Sequence, residues 1–268
     1  MFKERKVKRN RNLCHWDKRE GSKFEMKNED SRTIIVITGA SSGLGRDMAI
    51  SLAKHEGNHL VLTARSEDKL TEVAEIITNM GGSAYTFAAD LTEESDVIAL
   101  SEFLRSKFNR VNVLINNAGL GIFKPLVELS SDEWKLMNDT MVYGTFLCTK
   151  YILPLILEST EPRHIIINSS FWGIKGDTPL CTAYIAAKFA QRGLSLSLRE
   201  ELRYHNIKVT CLMPGSINTP FFDFGGGWPH DPNRILSSEE LSEVVNDIIH
   251  YKGNLVVEEI VVQAVNPD

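Results

Sequence analysis

Residues 33–45 read Thr-Ile-Ile-Val-Ile-Thr-Gly-Ala-Ser-Ser-Gly-Leu-Gly. Ile34 to Ile37 is an unbroken β-branched run, the composition of a strand buried on both faces. Gly39, Gly43 and Gly45 then punctuate a tight turn. From Leu44 the apolar residues fall at helical spacing through Met48, Leu52 and Ala53, until Gly57. Strand, glycine turn and helix in that order set unpaired backbone N–H groups and a helix N-terminus at the strand's carboxyl end, where a pyrophosphate is held. Glycine supplies the positive φ and the close backbone approach that such a turn demands.

Outward from this unit, strands and helices alternate. Further strands are predicted at 59–64, 84–88, 111–115, 165–168, 209–213 and 255–262, and helices over 66–80, 93–108, 131–156, 184–204 and 237–250. Gly81-Gly82 and Pro214-Gly215 act as stops, while Ser130 with Glu133 and Ser237 with Glu240 are capping-box openings. The alternation specifies an α/β fold: a doubly wound parallel sheet of Rossmann type, three-layer α/β/α, in a single domain over 31–268. Residues 221–234, with Gly225-Gly226-Gly227 and two prolines, fit no element and are read as a mobile loop over a site.

Composition narrows the function. The chain is 43% apolar and 24% charged, ordinary for a globular protein, and its net charge of -5 offers nucleic acid no general attraction. Cys14, Cys148, Cys181 and Cys211 lie far apart without CxxC spacing, which argues against a disulfide framework or metal centre and fits a reduced, cytoplasmic setting. No apolar run approaches the ~20 residues that span a bilayer, so no membrane is expected. The first 30 residues carry ten Lys/Arg and six Asp/Glu, leaving -9 on the remainder. Three readings of them stand: a basic arm for RNA or anionic lipid, a disordered extension, and a segment upstream of a natural start at Met26. The place where the fold begins favours the last.

Tyr184 and Lys188 lie at i and i+4 and so share one helix face. A phenol with a pKa near ~10 is a poor acid–base group at neutral pH, and a lysine cation one turn away is expected to lower it. Ser169 and Ser170, at the carboxyl end of the fifth strand, can bond the same substrate oxygen.

With these residues in place the sequence resembles the classical short-chain dehydrogenases/reductases, from about residue 33 to 262. Thr38-Gly39-x-x-x-Gly43-x-Gly45, Asn116-Asn117-Ala118-Gly119, Ser170-x-x-Gly173, Tyr184-x-x-x-Lys188 and Pro214-Gly215-x-x-x-Thr219 match the family's motifs in order. The resemblance implies hydride transfer between a nicotinamide and a small-molecule carbonyl or alcohol substrate. Tyr184 would be the general acid in reduction and the base in oxidation. Lys188 would tune it and hold the nicotinamide ribose, and Ser170 would position the carbonyl. Gly39, Ser41, Ser42, Gly43, Leu44 and Gly45 would cradle the cofactor phosphates, and Asp90 and Leu91 would flank its adenine. Asn117, Ala118 and Gly119 would support it, with Pro214, Gly215, Ile217 and Thr219 on the nicotinamide side. The resemblance also implies a homodimer or homotetramer built through the long helices.

Cofactor choice is read at the end of the second strand. An acid there would bond a ribose 2′-hydroxyl, but the position holds Ala64, followed by Arg65, a planar partner for a 2′-phosphate. NADP(H) is expected rather than NAD(H). One departure stands out: the family's active-site asparagine, which holds a water linking the lysine to solvent, falls at Met141. Asn138, one turn earlier, is the nearest replacement in sequence. A second reading therefore follows from Met141, that of a weak or inactive nucleotide-binding relative serving as a redox sensor. Around the site, Phe171, Trp172, Phe221, Phe222 and Phe224 suggest a lipophilic wall, whereas His230 and Cys181 read as bystanders.

Overall fold

The structure is a computed structural model that describes residues 32–160, 162–223, 234–251 and 253–265. The N-terminal extension, Cys14, Phe224, the glycine triplet and His230 lie outside the described residues, as do the side chains of Phe222 and Asp223.

Seven strands form one sheet, β1 (Thr33–Thr38), β2 (Asn58–Ala64), β3 (Ser83–Ala88), β4 (Val113–Asn116), β5 (His164–Asn168), β6 (Lys208–Pro214) and β7 (Glu259–Val262). Their order is β3-β2-β1-β4-β5-β6-β7, and every pairing is parallel. On β1 the side chains alternate between faces, and both faces are apolar. Ile34 and Val36 join the core under α3 (Glu94–Phe108), α5 (Gly144–Leu157) and α6 (Thr182–Leu202). Ile35 and Ile37 join the opposite core under α1 (Gly43–Ala53), α2 (Glu67–Asn79) and α7 (Ser238–His250). Burial of each such side chain contributes ~1.5–3 kcal/mol, which is why this strand sits at the centre of the sheet. The chain runs outward through β2 and β3, then crosses back to lay β4 on the other side of β1. The crevice at the carboxyl ends of β1 and β4 is the switch point where doubly wound folds bind ligands.

Both capping boxes form: Ser130 Oγ accepts from the Glu133 N–H at 3.1 Å, and Ser237 Oγ from the Glu240 N–H at 3.1 Å. Other boundaries move. The first helix stops at Ala53, the fourth strand runs Val113–Asn116, and α6 opens at Thr182. The last strand is shorter than the sequence suggests, because the Val257 carbonyl is taken by the Thr210 hydroxyl at 2.5 Å and ladder pairing begins at Glu259.

The long helix predicted over 131–156 is divided. α4 (Ser131–Asn138) leads into a π-helical turn, Asp139–Tyr143, before α5. There the Gly144 N–H reaches back to the Asp139 carbonyl, five residues earlier. A Cβ on Gly144 would lie 3.2 Å from Leu91 Cβ, so glycine permits this close packing. Over Ser131–Leu157 the combined helix is long and apolar enough to cross a bilayer by length and composition, which the sequence reading did not anticipate. Half of that apolar window is buried in the fold, where Leu147, Cys148 and Ile152 pack beneath the sheet.

Candidate active site

The residues assigned from the sequence to catalysis and cofactor binding line one cleft of about 1100 Å³ at the carboxyl ends of the strands, with Phe171, Trp172 and Phe221 of the expected lipophilic wall. Its floor is the glycine turn, where Gly39 and Gly43 adopt φ of 67° and 51°. A Cβ on Gly45 would sit 2.2 Å from the Gly39 carbonyl oxygen and 2.5 Å from Asn117 Nδ2. Only glycine fits there, and the N-terminus of α1 is thereby brought against the end of β4. This is a cradle that fits a dinucleotide pyrophosphate.

At one end of the cleft, Ala64 closes β2, and the exposed side chains of Arg65 and Lys69 flank Ser66. Neither cation makes an ion pair among the described residues. Lys69 was missed in the sequence; it lies in the first turn of α2, just beyond the Ser66 N-cap. Asp90 also lines the cleft, its Oδ1 accepting from the Thr92 N–H and hydroxyl at 3.0 and 2.8 Å.

At the other end a chain of hydrogen bonds joins three strands to α6. The Thr38 hydroxyl accepts from the N–H groups of Asn117 and Ala118 at 2.9 and 3.0 Å, and Asn117 Nδ2 donates to the Thr38 carbonyl at 3.0 Å. Asn168 Nδ2 donates to Asn117 Oδ1 at 3.0 Å, and Lys188 Nζ donates to the Asn168 carbonyl at 2.8 Å. Ser169 faces away from the cleft chemistry, its hydroxyl donating to the Lys188 carbonyl at 2.8 Å. A Cβ on Gly173 would fall 2.5 Å from that Ser169 hydroxyl. Of the two serines it is Ser170 whose hydroxyl stands near enough to the Tyr184 phenol to favour its ionised form, and both line the cleft.

Tyr184 sits in an aromatic box. Its ring lies 5.7 Å from Phe123, 5.8 Å from Trp172 and 5.7 Å from Phe221, centroid to centroid. Lys188 Nζ stands 5.5 Å from the same ring centroid. Phe123, far from Tyr184 in sequence, carried no signal of this role. The expected lowering of the phenol pKa is not what this environment gives. Burial holds Tyr184 well above its ordinary value, outweighing the opposing influence of the nearby Ser170 hydroxyl, while burial pushes the Lys188 ammonium down to about 7. Cys181 is inert by the same cause, its thiol pushed up to about 11.

A family model described as short chain dehydrogenase matches residues 33–224. The chain belongs to the short-chain dehydrogenase family. An uncharacterized oxidoreductase of Staphylococcus saprophyticus is 34% identical over 209 residues, which are 76% of this chain and 88% of that relative. Among solved structures, an alcohol dehydrogenase from the archaeon Thermococcus sibiricus, complexed with 5-hydroxy-NADP, matches with a TM-score of 0.80 at 29% identity, over 88% of this chain and 98% of its own. A metagenomic short-chain oxidoreductase in complex with NADP matches with a TM-score of 0.75 at 29% identity, over 87% and 97% of the two chains.

Against the short-chain dehydrogenase pattern, the departure at Met141 takes a defined form. Met141 is fully buried in the π-helical turn, with its Sδ 3.5 Å from where a Gly119 Cβ would stand. Asn138 does not replace the missing asparagine, because its Nδ2 donates to the Trp134 carbonyl at 2.9 Å, back along its own helix. A different amide arrives instead. Gln191 Oε1 accepts from Lys188 Nζ at 2.9 Å, and Gln191 Nε2 donates to the Met141 carbonyl at 2.9 Å.

Proposed function

We propose that this short-chain dehydrogenase is an NADP(H)-dependent carbonyl reductase, acting on flat, apolar carbonyl compounds at a Ser170-Tyr184-Lys188 site. The observation that carries the reading is the convergence of these three side chains in the lining of one glycine-floored cleft, with Lys188 Nζ over the Tyr184 ring. When bound, the dinucleotide would supply hydride. Gly39, Ser41, Ser42, Gly43, Leu44 and Gly45 would hold its phosphates. Asp90 and Leu91 would hold its adenine, with Asn117, Ala118, Gly119, Pro214, Gly215, Ile217 and Thr219 along its length.

Ser170 would orient the substrate carbonyl oxygen, and the Tyr184 hydroxyl would donate its proton there. Burial disfavours the phenolate left behind, and a Lys188 ammonium beside the ring would offset that cost. Trp172 and Phe221, backed by the buried Phe123, would offer edges and faces to a planar substrate in the cleft. Arg65 and Lys69 would pair a 2′-phosphate, and Ala64 offers no carboxylate to bond a ribose 2′-hydroxyl.

Exposed Phe146 on α5 and Phe189 and Leu196 on α6 support assembly as a homodimer or homotetramer through those helices. The buried free thiols of Cys148, Cys181 and Cys211 suit a reduced, cytoplasmic setting.

The test is steady-state turnover of NADPH and NADH against aryl ketones, aliphatic ketones and keto acids. NADPH with an aryl ketone is expected to give the highest kcat/KM, and Arg65→Ala with Lys69→Ala should cut the NADPH preference about 100-fold, some tenfold per lost charge-assisted contact. Equal use of both cofactors by the unaltered enzyme would refute the cofactor assignment. A preference for keto acids would refute the apolar substrate class.

A further inference from the structure

Lys188 is 3% exposed and Gln191 is fully buried. An ammonium has three N–H donors. Two are taken within the protein, by the Asn168 carbonyl at 2.8 Å and by Gln191 Oε1 at 2.9 Å, leaving one for the cleft that Lys188 lines. The Gln191 amide is satisfied throughout. Its Nε2 donates to the Met141 carbonyl at 2.9 Å and to Thr145 Oγ1 at 3.1 Å, and the Thr145 hydroxyl donates to the same Met141 carbonyl at 2.6 Å. The reverse orientation of the carboxamide would set N–H groups against an ammonium and an oxygen against a carbonyl, so the amide has one orientation. Met141 contributes no side-chain amide. The π-helical turn that carries it instead presents a backbone carbonyl toward α6.

We propose that Gln191 is a positioning residue of this site, tying the Lys188 ammonium to the Met141 carbonyl and keeping it charged beneath Tyr184. The Lys188 ammonium experiences two opposed effects. Burial lowers its pKa, while fixed carbonyl oxygens within 3 Å favour the charged form. The other titratable groups near it are Tyr184 on its own helix and Cys211 on β6, beyond which lies the Arg192–Glu259 pair, with 2.8 Å between Nε and Oε1. No carboxylate touches Lys188 among the described residues, so a neutral amide oxygen stands where a counter-ion would otherwise be needed. Both N–H groups of that amide are committed, so it holds the charge without passing a proton inward. Proton exchange of the Tyr184–Lys188 pair then takes place on the cleft side.

The inference rests on the proposed catalytic reading only for its kinetic consequence, so the primary readout is independent of turnover. The Lys188 ε-carbon chemical shift is followed against pH by NMR in the cofactor-free protein, for the wild type and three variants whose folding is checked by circular dichroism and melting. The wild-type midpoint is expected at about 7. Gln191→Met, which fills the space without an acceptor, should lower it by about one unit. Gln191→Asn keeps a buried amide but is too short to span both partners, and should lower it in the same sense. Gln191→Glu sets a carboxylate beside the ammonium and should raise it by about one unit or more.

The alkaline limb of carbonyl reduction should follow the same directions, with kcat at pH 8 about tenfold lower in Gln191→Met. A midpoint unmoved in every variant that folds overturns the proposal. A midpoint that moves as stated in a protein that reduces no carbonyl upholds the positioning role and instead refutes the catalytic reading.

Discussion

Replacing Tyr184 by phenylalanine should reduce NADPH-dependent carbonyl turnover about 10³-fold while leaving NADPH affinity within about twofold of the wild type. The variant removes one oxygen and nothing else. The ring remains between Phe123, Trp172 and Phe221, so the aromatic box keeps its packing. Ser170 keeps the hydrogen bond that it accepts from the Trp172 N–H at 3.1 Å. Lys188 keeps both bonds on its protein side, to Asn168 and Gln191. A loss confined to kcat identifies the phenol as the proton donor. Retention of more than about a tenth of the turnover would show that another group, or water, delivers the proton.

The second large effect is expected at Gly45→Ala. The added methyl would lie 2.2 Å from the Gly39 carbonyl oxygen and 2.5 Å from Asn117 Nδ2, and neither can yield locally. Asn117 Nδ2 is bonded to the Thr38 carbonyl, and Asn117 Oδ1 accepts from Asn168, whose own carbonyl holds Lys188. Displacing Asn117 therefore disturbs both the floor of the cleft and the anchor of the lysine. A loss of about 1–3 kcal/mol in stability is expected from overpacking, read by denaturant unfolding, together with an NADPH affinity at least about 100-fold weaker, read by fluorescence titration. Gly193→Ala is the matched control. Nothing lies within 4 Å of its added methyl on α6, so stability should be unchanged or higher by up to about 1 kcal/mol. If Gly45→Ala behaved like Gly193→Ala, the close approach of α1 to β4 would not be what shapes the cleft.

Much of this was readable in residues 33–45, because strand burial, glycine conformation and helix spacing are local properties that a sequence records directly. The parallel, doubly wound sheet followed from the alternation of elements, though its strand order came only with the structure. Ser170, Tyr184 and Lys188 were legible because each lies at a strand end or on one helix face. What stayed hidden depended on contacts between distant segments. Phe123 reaches Tyr184 across the fold from the loop after β4, and nothing in its neighbours announces that. The pKa of Tyr184 was misjudged for the same reason, since i, i+4 spacing shows a nearby cation but not the aromatic side chains that exclude water. Asn138 looked like a substitute when one regular helix was assumed, but its side chain bonds back to its own helix, next to a π-helical turn that the sequence did not signal. Gln191 lies three residues beyond Lys188 on the same helix, close enough to have been considered. Its second partner, the Met141 carbonyl, belongs to a different helix and could not be read.

Met141 sets two readings against each other, an active reductase and a nucleotide-binding sensor, and the Gln191 contact to Lys188 is compatible with both. The most direct test of the central claim is hydride transfer itself. Unmodified protein would be mixed with NADPH carrying deuterium at both hydrogen positions of the nicotinamide C4 and an excess of aryl ketone, and the alcohol analysed by mass spectrometry. Reduction at the Ser170-Tyr184-Lys188 site places one deuterium on the carbinol carbon, in step with loss of reduced cofactor, and Tyr184→Phe prevents it. NADPH that binds tightly yet delivers no deuterium to any carbonyl offered would contradict the reductase and identify the cleft as a site for sensing the nucleotide alone.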